Sequence, residues 1–482
     1  MTKLNRRRLL SSRAKASGRT TRRLLESPAG PRCRTQRLAL EQLEDRRLLA
    51  ITANIVGNEL RVLGDQNPLI LVDFVTLTPV GPNQVEVFDG GLSQGIFTRG
   101  TNPGEYQQIL ISVGADNDVV NINGPNSVAD SGKLVIFGGF GDDMLTGNDG
   151  GEVFIGGEGS DVMTGERGDD YYIFEPTLAA QIDDVVEQPI PEYGVDTLDF
   201  SRLQLGDPVV VDLTNAVTMA EHTTAAMNHK VKTTGGSPLG LEDVVGGTDN
   251  DTITGNKWAN RITGNDGSDT MYGQEGSDRY IFSVAAALPA GMGPQKDIVK
   301  ETHAPSPPED LGVDTLDFSQ LLAFDPVIVD LRNDNPALLA QHTNREVRTA
   351  AAGESIKLEN VLGGAGSDTI TGNAAKNFLD GREGNDTLDG DFQDDELVGG
   401  PGQDSIAGSD GDDSLQGDGE NDNLAGGPGD DTYVFDNLFT DEIDVVAELP
   451  NEGNDTLDFQ AATIGLNIDL TLDLPIAMNG LG

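Results

Sequence analysis

Thirteen aspartates stand at one fixed place in a nine-residue unit that recurs along the chain: Asp143, Asp161, Asp170, Asp251, Asp269, Asp278, Asp368, Asp386, Asp395, Asp404, Asp413, Asp422 and Asp431. The units form three blocks. The first runs GGFGDDMLT (138–146), GNDGGEVFI (147–155), GGEGSDVMT (156–164) and GERGDDYYI (165–173). The second runs from GGTDNDTIT (246–254) to GQEGSDRYI (273–281), and the third holds eight units from GGAGSDTIT (363–371) to GGPGDDTYV (426–434). All 16 units have Gly at position 1, 11 have Gly at position 4, and position 8 is always Leu, Ile, Met, Phe or Tyr. Position 6 is Asp except at Glu152, Asn260 and Asn377. Compositional drift does not hold four positions in register across separated blocks, so the period is structural.

This pattern suits the binding of a hard cation. Gly at positions 1 and 4 permits φ > 0 and lets backbone carbonyls approach an ion. The Asp at position 6 supplies the carboxylate oxygen that Ca²⁺ prefers. The three residues after it read as a short strand whose middle side chain, at position 8, points to one face only. Two units then make one coil of two strands and two turns, and equivalent turns stack two units apart. In the third block one edge should stack Asp368, Asp386, Asp404 and Asp422, and the other Asn377, Asp395, Asp413 and Asp431. Parallel strands lie about 4.8 Å apart, where two unit charges repel by about 1 kcal/mol in water and roughly 4 kcal/mol near a protein surface. A divalent ion between turns reverses that sign, which couples metal binding to folding. Asn377 keeps an oxygen but no charge, and Ala375 and Gln393 replace Gly at position 4, so the site between Asn377 and Asp395 is expected to be the weakest. The second block is degraded by Asp249 and Trp258 at position 4, so calcium is expected to concentrate in the third.

The units resemble the RTX nonapeptide family, GGxGxDxUx. The resemblance implies an all-β fold, a parallel β-roll or β-helix solenoid with Ca²⁺ held between successive turns, and the thirteen aspartates as its metal ligands.

Longer segments between the blocks repeat one another. GVDTLDF recurs at 194–200 and 312–318 and GNDTLDF at 453–459; DPVVVDL (207–213) matches DPVIVDL (325–331), and LEDVVGG (241–247) matches LENVLGG (358–364). YYIF (171–174), YIF (280–282) and YVF (433–435) close the blocks. β-Branched runs bounded by Gly, Pro and Asp read as strands, so the linkers are expected to be further coils with longer loops. The resulting organisation is a basic export or sorting segment at 1–49, expected to be disordered; a β-helical or sandwich-like N-terminal cap at 50–137; repeat blocks at 138–174, 246–282 and 363–435; β linkers at 175–245 and 283–362; and a C-terminal β segment at 436–482.

Charge sorts the same way. The net charge is −48, but residues 1–49 carry 14 Lys or Arg against 4 Asp or Glu, which leaves −58 for the rest. Such an excess repels phosphates and excludes nucleic acid as the partner of the body of the protein. In the N-terminal segment, LALEQLEDRRLLA (38–50) resembles the Leu-Glu-x-Leu-Glu-x-Arg-x-Leu-Leu motif of planctomycete-type surface proteins, through Leu40, Glu41, Leu43, Glu44, Arg46, Leu48 and Leu49; Gln42 stands where Pro is common. That resemblance implies export. The single cysteine, Cys33, allows no intrachain disulfide, so a metal is the expected staple for a thin core. No apolar run reaches the roughly 18 residues of a transmembrane helix.

Three motifs point elsewhere and are outweighed. GLSQG (91–95) places Ser93 in Gly-x-Ser-x-Gly, but no helix is expected after it. Arg167-Gly168-Asp169 lies inside a repeat turn. His222 and His342 occupy matching places in AEHT and AQHT, as shared ancestry of the linkers explains. The expectation is a secreted, calcium-folded protein at the cell surface or in the extracellular matrix, structural or adhesive and not an enzyme, with calcium and surface or matrix components as partners. The alternative is the calcium-binding portion of a secreted toxin or hydrolase whose effector region is absent.

Overall fold

Each nonapeptide forms a strand over its positions 7 to 9, as in Met144–Thr146, Val162–Thr164 and Tyr171–Ile173. Its position-8 side chain turns inward at all 16 units and is at most 2% exposed, from Leu145 to Tyr433. In the computed structural model the described residues lie between 51 and 481; the longer stretches left out are 65–72, 100–106, 124–133, 188–193, 234–239, 285–293, 301–311, 351–356, 436–442 and 469–475, with shorter ones elsewhere. The expected disorder of 1–49 lies outside the described residues. There is no α-helix among them, and no helix long and apolar enough to cross a membrane.

Successive strands alternate between two sheets, and each pairs in parallel with the strand one coil on. Phe154 pairs with Tyr172 in the first sheet and Met163 with Leu145 in the second. In the third block Leu379, Leu397, Leu415 and Tyr433 line up on one sheet, and Ile370, Leu388, Ile406 and Leu424 on the other. The core is thus two facing columns of single side chains. The cap region is no separate sandwich: Glu59–Leu63, Gln108–Ala115 and Leu134–Phe140 pair in parallel in the first sheet, and Phe74–Gly81 pairs with Val119–Ile122 in the second.

The linkers continue the coils but add an element that composition did not indicate. Ala220–Thr224 and Met227–Lys232 form an antiparallel hairpin inserted between coils of the second sheet, where His229 pairs with Gln181 on one side and Glu221 with Val210 on the other. Leu338–His342 and Arg345–Thr349 do the same in the second linker. Among the described residues of the linkers the first sheet receives no such insertion. There the block-closing phenylalanines stack on those of the TLDF segments, with Phe174 on Phe200, Phe282 on Phe318 and Phe435 on Phe459 at centroid distances of 4.7, 4.8 and 4.9 Å.

A column one side chain wide has no slack for a void. Leu397→Ala should cost about 2–5 kcal/mol in calcium-saturated protein, whereas exposed Glu396→Ala should stay within about 0.5 kcal/mol, as read from urea melts.

Candidate metal centre

The turn before each strand is built by backbone donors. Oδ1 of a position-6 aspartate accepts the N–H of its counterpart one coil earlier: Asp368 N–H to Asp386 at 2.7 Å, Asp386 to Asp404 at 2.7 Å, and Asp404 to Asp422 at 2.8 Å. On the other edge Asn377, Asp395 and Asp413 donate to Asp395, Asp413 and Asp431 at 2.7, 2.8 and 2.8 Å. The stacks follow the two-unit parity. A second ladder of opposite polarity runs outside through position 5, where the side chains of Asp142, Asp394 and Asp412 accept the N–H of Ser160, Asp412 and Asp430.

The other carboxylate oxygen tests whether a cation fits. Oδ2 of Asp143, Asp161, Asp170, Asp269, Asp278, Asp386, Asp395, Asp404, Asp413, Asp422 and Asp431 is buried without a hydrogen-bond partner. Leaving a buried charge so is costly unless a cation meets it. Each such oxygen points into the space left by the missing side chain of its own position-1 glycine. A Cβ at Gly381 would collide with Asp386 Oδ2 and lie 2.8 Å from the Gly399 carbonyl; at Gly390 it would meet Asp395 Oδ2 and the Gly408 carbonyl at 2.7 Å. A carboxylate and a carbonyl from adjacent coils therefore converge, the hard-oxygen set that calcium takes. Asp251 and Asp368 differ, because their Oδ2 atoms accept the N–H of Gly247 and Gly364 at 2.6 and 2.7 Å.

Position-1 glycine thus serves close approach rather than positive φ. Positive φ falls at position 4, as at Gly141 (123°) and Gly384 (136°), and at position 2, where non-glycine residues such as Glu166 (79°) and Arg382 (72°) adopt it. Gln393 (73°) and Glu420 (80°) hold the position-4 conformation without glycine. Asn377 is also more than a charge-deficient ligand. Its Oδ1 accepts Asn373 N–H at 2.8 Å and its amide donates to the Glu359 carbonyl at 2.9 Å; Asn260 does the same toward Asn256 and the Glu242 carbonyl. An aspartate could not make the second bond.

Burial holds the carboxyls far above the usual range, with like-charged neighbours adding and the ladder N–H groups opposing. It pushes Asp368, Asp413 and Asp431 to about 6; Asp143, Asp251, Asp278, Asp386, Asp404 and Asp422 to about 7; Asp161 and Asp395 to about 8; and Asp170 and Asp269 to about 9.

Several ladder members escaped the nonapeptide count. Asp73 and Asp118 extend one stack before the first unit, as Asp118 and Asp143 accept their N–H groups at 2.7 Å each. Asp196, Asp314 and Asp455 accept from Asp170, Asp278 and Asp431. Their GxDTL context matches positions 4 to 8 of the unit and was the available signal. Asp183 and Asp297, which accept from Asp161 and Asp269, end their stack against nitrogen groups of the chain itself. Asp183 Oδ2 meets His229 Nε2 at 2.7 Å, and His229 Nδ1 meets His222 Nε2 at 2.9 Å, whose Nδ1 reaches Asp207 at 2.9 Å. Burial lowers the pKa of His222. In the second linker Arg345, 1% exposed, takes the place of His229: it binds Asp297 Oδ2 at 2.6 Å and also donates to the Asn265 carbonyl and to Gln295. His342 there keeps its matching bond to Asp325. Ser93 lies within the strand Leu92–Thr98 opposite Phe88, not at a strand–helix turn. Asp169 accepts Val195 N–H within the outer ladder.

A family model for the RTX calcium-binding nonapeptide repeat matches the chain in four copies, at residues 146–174, 245–280, 362–397 and 398–433. No curated protein matches the chain.

Two outcomes follow from this geometry. A carboxyl raised in the folded state penalises folding where it ionises, so the penalty is absent below pH about 4 and complete above pH about 9. In chelator, β-structure by circular dichroism should therefore rise as the pH falls through that window. Arg345→Ala strands a buried Asp297 and should cost about 3–5 kcal/mol even in saturating calcium, read as a lowered unfolding midpoint.

Proposed function

We propose that this solenoid of RTX calcium-binding nonapeptide repeats works outside the cell as a calcium-hardened structural or adhesive scaffold, without catalytic machinery of its own. The observation that carries the reading is the row of buried, partnerless carboxylate oxygens lying over the position-1 glycines, joined by a carbonyl of the next coil at Gly138, Gly381 and Gly390. Asp143, Asp161, Asp170, Asp269, Asp278, Asp386, Asp395, Asp404, Asp413, Asp422 and Asp431 would hold the ions, together with position-1 carbonyls such as those of Gly399 and Gly408. The ion supplies positive charge where the stack has none. Modules of modest affinity fill at the roughly 10⁻⁴–10⁻³ M calcium found outside cells, which favours folding after export. The surface is strongly anionic, so its partners on a cell or matrix would engage it through cationic groups or through calcium bridges.

Circular dichroism in chelator and in millimolar calcium tests the coupling: coil should give way to β-structure, and identical spectra at neutral pH would sink the idea. Within the third block, Asp404→Ala should raise the calcium midpoint more than Asp395→Ala. Asp404 has an aspartate neighbour on each side, whereas one neighbour of Asp395 is Asn377, whose oxygen is already committed. Binding to bare cells that needs calcium and causes no lysis supports the scaffold; lysis contradicts it.

A further inference from the structure

The two edges of the solenoid close differently at the end of a block. On one edge the chain provides a nitrogen partner, the His229 ring against Asp183 and the Arg345 guanidinium against Asp297. On the other edge it provides a third carboxylate. At Gly165 the place one coil on, held elsewhere by a position-1 glycine, belongs to Glu187; a Cβ at Gly165 would meet Asp170 Oδ2, Glu187 Oε1 and the Tyr172 hydroxyl. Ligand atoms of Asp170, Glu187 and Asp196 all lie within 4.8 Å of one another, and all three residues are buried. The third block ends on the corresponding set, buried Asp431, half-buried Glu448 and exposed Asp455. Asp170 and Asp431 are each 0% exposed, and each aims a partnerless Oδ2 into its cluster. Tyr172 and Tyr433 fill position 8 where the other units of these blocks carry Leu, Ile, Met or Phe, and their hydroxyls donate to Glu187 and Glu448.

We propose that Asp170–Glu187–Asp196 and Asp431–Glu448–Asp455 are cation sites of a second kind, each holding a hard divalent or trivalent ion with three side-chain carboxylates. A nonapeptide site offers two stacked position-6 carboxylates, with a glycine where these two sites add a glutamate. Affinity follows ligand charge, so these two sites fill first and seal the ends of the first and third blocks. The tyrosine fixes the glutamate that replaces the glycine carbonyl. The inference rests on the calcium reading of Asp170 and Asp431 but separates from it at Glu187 and Glu448, which belong to no nonapeptide.

Terbium and calcium chloride, titrated into the full chain, provide the test. Terbium emission excited through tyrosine should appear with the first equivalents bound. The double variant Glu187→Gln/Glu448→Gln should bind two fewer calcium ions and lose the emission of the first equivalents, because both proposed sites lose their ion, while β-structure in millimolar calcium persists. A full calcium count with undiminished emission overturns the proposal. Asp404→Asn keeps the two readings apart: it should lower the count but leave the early emission intact. If Asp404→Asn changes nothing while the double variant loses two ions, the nonapeptide reading falls and the block-end sites stand. If the double variant does not fold, Tyr172→Phe/Tyr433→Phe leaves every carboxylate in place. It should dim the early emission with the calcium count unchanged, and undimmed emission overturns the proposal.

Discussion

Buried carboxylates stacked at the spacing of parallel strands are the constraint that the rest of the structure answers. A one-residue-wide core fixes each position-6 side chain at the turn, and the coil repeat places the next one about 4.8 Å along the same edge. The backbone offers one N–H per residue to that edge, which satisfies Oδ1 and leaves Oδ2. The fold cannot relieve this with a larger core, because its interior holds two columns of single side chains. Compensation has to come as positive charge, from solution or from the chain.

The chain supplies some of it where a stack begins or ends. Starts are handled by backbone and amide groups: Asp251 and Asp368 fold their second oxygen onto a local N–H, while Asn260 and Asn377 bond with the linker below. Ends on the hairpin edge are handled by His229 and Arg345. Arginine and a hydrogen-bonded histidine pair at matching positions share the capacity to place positive charge against a buried Asp. Arg345 is charged at any physiological pH, whereas the His222–His229 chain must share a proton to do so.

How much of this the sequence disclosed divides along the same line. The period, the inward position 8 and the two-unit parity are local properties of a nine-residue unit, so Leu145 to Tyr433 and the Asp386–Asp404–Asp422 stack were legible. The role of position 2 was not, because Glu166 and Arg382 adopt positive φ under the pull of the coil and their residue types do not advertise it. Gly165 and its counterparts were noticed for flexibility, but what they provide is room. The partners of the linkers were hidden for a further reason. Arg345 meets Asp297 across 48 residues, and only the register of an inserted hairpin brings them together. Asp196 and Asp455 stood nearer the surface of the text, since GxDTL repeats the spacing of the unit around them.

The linkers then have a physical task beyond joining blocks. Stability in a solenoid is close to a sum of coil and nearest-neighbour terms, so coils can be added without limit if each interface is favourable. Like charges along an edge break that rule, because a longer stack of carboxylates acts on more than its nearest neighbours. Each linker ends both stacks and restarts them. One edge stops at Asp183 and resumes where Asp251 accepts Val209 N–H; the other passes through Asp196 to Glu242 and resumes at Asn260. The hydrophobic column of the first sheet runs through the same coils unbroken, from Tyr172 to Leu198 to Val244 to Ile262. A linker therefore continues the core while it interrupts each carboxylate stack, at His229 or Arg345 on one edge and at Asn260 or Asn377 on the other, which lets a strongly anionic chain build many coils from one motif.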